Sequence, residues 1–319
     1  MSLAVETGAP VSHRLAWLHG RSPAPDDALG GKAATLRRLA RAGQRVPEGF
    51  CLSAHAYREQ LEVHGLAERV AHLAARLPDD RARAELAAVA ATPRPLAPGL
   101  AEEVERAVER LAPGGELLAV RSSALGEDGH VASFAGQHVT ELGVGPEGVA
   151  ATVSACWASL WSPEAIAYRR ARDLPFESLA MPVLVQRLVP AEAAAVAFST
   201  DPLDSDSHRM VVNATRGLGL PLVSGDAVPD TFCFDRGTLE CRWHEPGVHD
   251  TALVVRDGSV STDLSSPEGH APAIDVPVAA ELAETCLDVE SALGFPVDVE
   301  ACYADGRWWL VQARPITTM

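Results

Sequence analysis

The chain has one lysine, Lys32, among 27 basic residues, and it follows two glycines in Leu29-Gly30-Gly31-Lys32. An ammonium is a compact point charge on a flexible stem, suited to reaching a phosphate tail, whereas a guanidinium forks a carboxylate. A second constellation closes the chain. Pro296–Tyr303 alternates apolar and polar residues, Trp308–Arg314 does so in part, and Asp305-Gly306 between them signals a hairpin. Asp298 and Glu300 then share one face, as do Gln312 and Arg314.

Whether the two polar pairs face the same way depends on loop parity. A two-residue Asp305-Gly306 loop pairs Ala304 with Arg307 and sends the polar sets to opposite sides. An odd loop, or one bulge, pairs Glu300 with Gln312 and Asp298 with Arg314. We adopt the second register. Its other face, Val297, Val299, Ala301, Tyr303, Trp309, Val311 and Ala313, is then a core surface. Its polar face offers two carboxylates, an amide oxygen and a guanidinium. Such oxygens suit Mg²⁺, which takes one or two protein ligands and completes its shell with phosphate and water. The competing reading is a solvated, salt-bridged outer face of an edge hairpin.

The elements that must position these residues follow from periodicity. Leu36, Leu39 and Ala40 recur at helical spacing over 31–42, opposite Arg37, Arg38 and Arg41, with Gly43 as the stop. Gly30-Gly31-Lys32 therefore opens a helix, where unpaired N–H groups and the dipole favour an anion. Residues 46–52 read as a strand, and Ser53 caps a helix to about His64. Three helices fill 66–111, broken at Leu77-Pro78-Asp79 and at 92–95; their charges form a solvated face. Leu117–Val120 fits a buried strand that leads into Arg121-Ser122-Ser123. A loop-like stretch runs from Ala124 to Gln137, then a strand at 138–144 and helices at 146–160 and 163–173.

From there the chain turns to strands at 181–189, 193–199 and 210–214. Short strands continue to about Val255, followed by a polar loop, a helix over 278–293 and the terminal hairpin. A helix-rich front and a strand-rich back indicate two lobes hinged near 175–190.

Composition narrows the partners. With 27 Lys+Arg against 43 Asp+Glu, a net charge of −16 excludes a broad cationic face for nucleic acid or anionic membrane. No stretch approaches eighteen apolar residues and Met1–Pro10 lacks a basic n-region, so the expected location is the cytoplasm. The six cysteines show no C-x-x-C pair and read as reduced packing residues.

Taken with these readings, the chain resembles the nucleotide-binding part of the phosphoenolpyruvate synthase, pyruvate phosphate dikinase and rifampin phosphotransferase family. Six blocks in family order carry the resemblance. They are Gly30-Gly31-Lys32 with Val46–Phe50; Val120–Ser123 with Ser133–Gln137; Trp157–Leu160 with Ala165–Arg169; Met181–Gln186; Gly217-Leu218-Gly219 with Val223–Gly225; and Asp298-Val299-Glu300 with Gln312–Pro315.

The resemblance implies an α+β, two-lobed ATP-grasp fold, with residues 1–184 as a helix-rich N-terminal lobe and 185–319 as a β-rich C-terminal lobe. It implies that Lys32 and Arg121 hold the phosphates of ATP. The loop Ser133, Phe134, Ala135, Gly136 and Gln137 would close over them, and Gln186 and Leu188 would border the adenine. Glu300 and Gln312 would bind Mg²⁺, Arg314 would meet the transferring phosphoryl group, and Asp298 would support it. Lys32, Arg121 and Arg314 are thus the expected catalytic cations.

In the family an acceptor histidine attacks the β-phosphate, leaving AMP and phosphate. None of the eleven histidines here sits in a carrier-like motif, and the chain stops at Met319 just past the last block. The expectation is a stand-alone MgATP-dependent phosphotransferase whose acceptor, a separate histidine carrier domain or a small molecule, is supplied in trans. An ATP-grasp ligase working through an acyl phosphate, or a non-catalytic ATP-binding regulatory subunit, are the alternatives. Two positions depart from the family pattern: Leu220, where an acid usually follows Gly-Leu-Gly, and Ala195, where glycine is common.

Overall fold

The computed structural model describes residues 13–20, 24–76, 79–123, 140–171, 179–204, 207–263 and 271–316. Strands β1 (Leu15–Trp17), β2 (Gly49–Leu52), β3 (Leu118–Ser122), β4 (Thr140–Val144) and β5 (Val183–Arg187) form an antiparallel sheet in the order β1-β2-β5-β3-β4. Strands β6 (Ala193–Phe198), β7 (Arg209–Arg216), β8 (Asp230–Asp235), β9 (Cys241–Glu245), β12 (Val297–Ala304) and β13 (Arg307–Pro315) form a second, in the order β13-β12-β6-β7-β8-β9. A separate hairpin, β10 (Ala252–Arg256) with β11 (Ser259–Asp263), touches β7 on one side and β4 on the other. Strand β11 falls where the sequence suggested only a polar loop. Its Ser-Val-Ser-Thr-Asp run has little apolar signal and owes its strand state to pairing with β10.

Helices α1 (Gly30–Arg41), α2 (Ala54–Val63), α3 (Ala67–Ala74), α4 (Asp80–Ala90), α5 (Pro98–Leu111), α6 (Val149–Ser159) and α7 (Pro163–Ala171) occupy the front, as the 3.6-residue periodicity predicts. Ser53 caps α2 by accepting from the His55 and Ala56 amides, and Asp79 caps α4 through Arg81 N. Among the described residues, the helices of the back are α8 (Leu220–Ser224) and α9 (Val276–Leu293). Asp275 accepts from Val278 N to start α9, and Gly294, in the left-handed conformation, ends it.

One apolar core fills the space between the first sheet and α2–α6, with Tyr57, Leu86, Leu100, Val153 and Trp161 at its centre. A second core joins both halves of the chain. Leu29, Leu36 and Leu39 of the α1 region pack with Leu282, Cys286 and Val289 of α9 against one face of the second sheet. Each fully buried leucine there contributes about 1.5–3 kcal/mol, so α1 is held firmly although 151 residues separate Arg41 at its end from Ala193, where that sheet's first strand begins. All six cysteines are free, and five are buried, as packing residues should be. No helix among the described residues is long and apolar enough to cross a membrane.

Candidate active site

The terminal hairpin reaches the expected register through a two-residue turn followed by one bulge. Asp305 and Gly306, at φ 51° and 69°, make a two-residue turn that pairs Ala304 with Arg307. A bulge then shifts the register between Glu300 and Ala301, so that Ala301 faces Leu310 while Glu300 faces Gln312 and Asp298 faces Arg314. The polar pairs therefore share one face as expected. The apolar face is corrected below the bulge: Trp308 and Leu310 enter the core, while Val311 joins the opposite side and Trp309 pairs with Cys302. The extra residue, Val311, inverts the alternation between the turn and the bulge.

Across from this face, Arg121 near the end of β3 reaches the hairpin. Its Nη2 donates to Gln312 Oε1 at 2.9 Å and lies 3.4 Å from Glu300 Oε2, and its Nη1 donates to the Val311 carbonyl. Both partners of the ion pair are largely withdrawn from water, the side chains of Arg121 and Glu300 being 10% and 13% exposed. Two residues along the same face, Asp298 Oδ2 accepts from Arg314 Nε and Nη2, each at 2.8 Å. Burial pushes the Asp298 carboxyl above its ordinary range, and the neighbouring Glu300 adds to this, against the opposing pull of Arg314.

Arg121 and Glu300 also edge a cavity between the two sheets. Gln186 and Leu188 line it, with Thr140 and Leu142 from β4 and Leu222 from α8 closing its sides. Gln186 is buried against the front sheet, its Nε2 donating to the Pro47 carbonyl at 3.4 Å. Lys32, Gln312, Asp298 and Arg314 lie outside this lining; Gln312 is joined to it through Arg121. The loop residues Ser133, Phe134, Ala135, Gly136 and Gln137 lie outside the described residues.

Lys32 stands, buried, in the first turn of α1. The residue before that helix, Leu29, gives it no side-chain cap. Ser123, two residues beyond Arg121, supplies the cap from the other sheet strand: its Oγ accepts from Ala33 N at 3.2 Å and donates to the Leu29 carbonyl at 3.0 Å. Gly30, at φ 72°, lies directly against the Ser123 carbonyl, a space that no Cβ fits. Lys32 and Arg121 are thereby mounted on one joint. Sequence reasoning gave Ser123 no role and did not find the Val311 carbonyl. The signal for Ser123 was a hydroxyl directly after the Arg-bearing strand and a helix start with no capping residue of its own; the carbonyl left none.

The donor set fits Mg²⁺. Glu300 and Gln312 present two oxygens side by side, and Asp298 Oδ1 is buried without a hydrogen-bond partner next to them. Among the described residues no group of three or more His, Cys, Asp or Glu forms a complete metal cage. A pair of protein oxygens finished by phosphate and water is the arrangement Mg²⁺ favours.

The chain is 33% identical over 317 residues to a probable phosphoenolpyruvate synthase of Methanocaldococcus jannaschii, covering 96% of this chain and 27% of that protein. It is 34% identical over 302 residues to a rifampicin phosphotransferase of Streptomyces sviceus, covering 91% and 34%. The chain thus spans about a quarter to a third of the length of these relatives. A solved D-alanine–D-alanine ligase of Bacillus anthracis aligns at a TM-score of 0.32 and 8% identity, over 88% of this chain and 54% of that one. The architecture is α+β, with a helix-rich front and a strand-rich back, as expected. The family model for the pyruvate phosphate dikinase AMP/ATP-binding domain matches residues 26–319, and the chain belongs to that family.

Proposed function

We propose that this domain binds MgATP in the cavity between its sheets and hands a phosphoryl group to an acceptor supplied in trans to the domain. The observation that carries this reading is the meeting of Arg121 with Glu300 and Gln312, which come from strands 179 and 191 residues apart, at the edge of an apolar cavity. Phosphoryl transfer asks little covalent help of a protein; it needs the phosphates positioned and their spreading charge neutralised.

In this reading the lobes are residues 1–184 and 185–319, with Gln186 and Leu188 bordering the adenine where the chain passes from one to the other. Lys32 and Arg121 hold the phosphates from their shared joint at Ser123, and Arg314, braced by Asp298, meets the group in flight. Glu300 and Gln312 would hold Mg²⁺, which supplies charge neutralisation between the phosphates. No histidine is among the described residues lining the cavity, which favours an acceptor brought from outside, whether a histidine carrier domain or a small molecule. An ATP-fed transfer of this kind belongs in the cytoplasm.

Chromatography of the nucleotide products, with Mg²⁺ and candidate acceptors, tests the proposal. AMP with phosphorylated acceptor is expected for the carrier route, and ADP for direct transfer to a small molecule. Bound but unchanged ATP with every acceptor tried would refute turnover and leave a nucleotide sensor.

A further inference from the structure

The Arg121 guanidinium sits on the two oxygens that a cation would need. Its Nη2 is 2.9 Å from Gln312 Oε1 and 3.4 Å from Glu300 Oε2, within a largely buried ion pair, and Nη1 is fixed on the Val311 carbonyl. The other charged pair on this face does not intrude, since Arg314 is engaged with Asp298. A single guanidinium has one charge to spend. While it neutralises Glu300, a divalent ion approaching the same oxygens meets a positive charge in a low-dielectric setting, and the two cannot share the site. A triphosphate changes the balance, because it offers the guanidinium a more highly charged, bidentate partner. Nε of Arg121, buried and without a hydrogen-bond partner, shows that the present seat does not exhaust the group's donors.

Resting on the nucleotide-site reading above, we propose that Arg121 stands in for the divalent cation in the nucleotide-free protein. It gives up Glu300 and Gln312 only when phosphates draw it away, so the cation enters with the nucleotide and not before it. Arg121 thereby orders assembly of the site in addition to holding phosphate, and its removal strengthens binding of the bare cation.

Mn²⁺ titration followed by electron paramagnetic resonance, without nucleotide, reads this directly. The Arg121→Met variant is expected to bind Mn²⁺ about ten- to a hundredfold more tightly than the wild type, the range set by freeing hydrogen bonds to a charged group. Adding Glu300→Ala to that variant should abolish the gain, which locates it at this site. Should Arg121→Met not fold, Arg121→Lys keeps the charge without the fork and is expected to show a smaller rise. Calorimetric binding of a non-hydrolysable ATP analogue to the wild type is measured alongside. No analogue binding overturns the nucleotide reading itself. Analogue binding with Mn²⁺ affinity unchanged or weakened in the Arg121 variants overturns only the stand-in role.

Discussion

Gly30→Ala isolates the joint on which Lys32 and Arg121 are mounted. A Cβ at Gly30 would lie 1.7 Å from the Ser123 carbonyl oxygen, 2.6 Å from its carbon and 2.7 Å from its Oγ, where ordinary contact begins at 3.4 Å. The obstruction is largely backbone, so helix α1 and the end of β3 must part. Holding alanine in the left-handed conformation costs about 1–2 kcal/mol. Forcing the overpacked contact apart costs about 1–3 kcal/mol. Losing the two hydrogen bonds through Ser123 Oγ costs about 1 kcal/mol each. The expected loss of unfolding free energy is therefore about 4–7 kcal/mol.

Gly43→Ala is the control. Gly43 has φ 87° and nothing within 4 Å of its notional Cβ, so only the conformational term of about 1–2 kcal/mol applies. Urea unfolding followed by circular dichroism, with unchanged slope, compares the two variants on equal terms. On the proposed reading, Gly30→Ala should also weaken ATP more than adenosine, because the joint carries Lys32 and Arg121, the cations assigned there to the phosphates. Equal destabilisation by the two substitutions, or equal loss of ATP and adenosine, would refute the reasoning.

Other substitutions probe the remaining parts. Asp230 is fully buried; burial would raise its carboxyl, but His249 at 3.0 Å and the amides of Gly247 and Ala273 outweigh this and hold it below the ordinary range. A depressed carboxylate adds stability above its unfolded value that is lost as pH falls through the folded one. Asp230→Asn should therefore cost about 3–5 kcal/mol at neutral pH and flatten the acid limb of stability, as measured by urea unfolding across pH. Deleting Val311 removes the bulge while leaving Ala301 opposite Leu310 and Glu300 opposite Gln312. The Arg121 anchor on the Val311 carbonyl is lost, and ATP affinity by calorimetry should fall about tenfold. Glu300→Ala and Lys32→Ala should each lower kcat/KM by about 2–4 kcal/mol in transition-state terms, the first also raising the Mg²⁺ needed for half-maximal rate; wild-type turnover in either removes that residue from the site.

Much of the scaffold was readable along the chain. Helical periodicity, Ser53 and Asp79 at helix starts, and the Asp305-Gly306 turn are local signals, because helices and tight turns are settled by neighbours within a few residues. The lone lysine after two glycines and the Asp-x-Glu and Gln-x-Arg spacings are likewise local features of the chain. What alternation did not reveal was how the hairpin reaches the right parity. An odd loop and an even loop with a bulge pair Glu300 with Gln312 alike, yet they send Trp308 and Trp309 to different faces. The choice is made by the core that α1 and α9 build against one side of the sheet, which accepts Trp308 and Leu310.

Residue types and spacing by themselves determined which side chains had the charge and reach to handle a phosphate and a small hard cation. Only the tertiary structure decided that Arg121 meets Glu300 and Gln312, and that Ser123 caps the helix bearing Lys32. Those contacts join segments 90 to 191 residues apart, and no local preference encodes them. They form because two sheets and one shared core bring the segments together, and burial then makes each unpaired polar group too costly to leave unmatched.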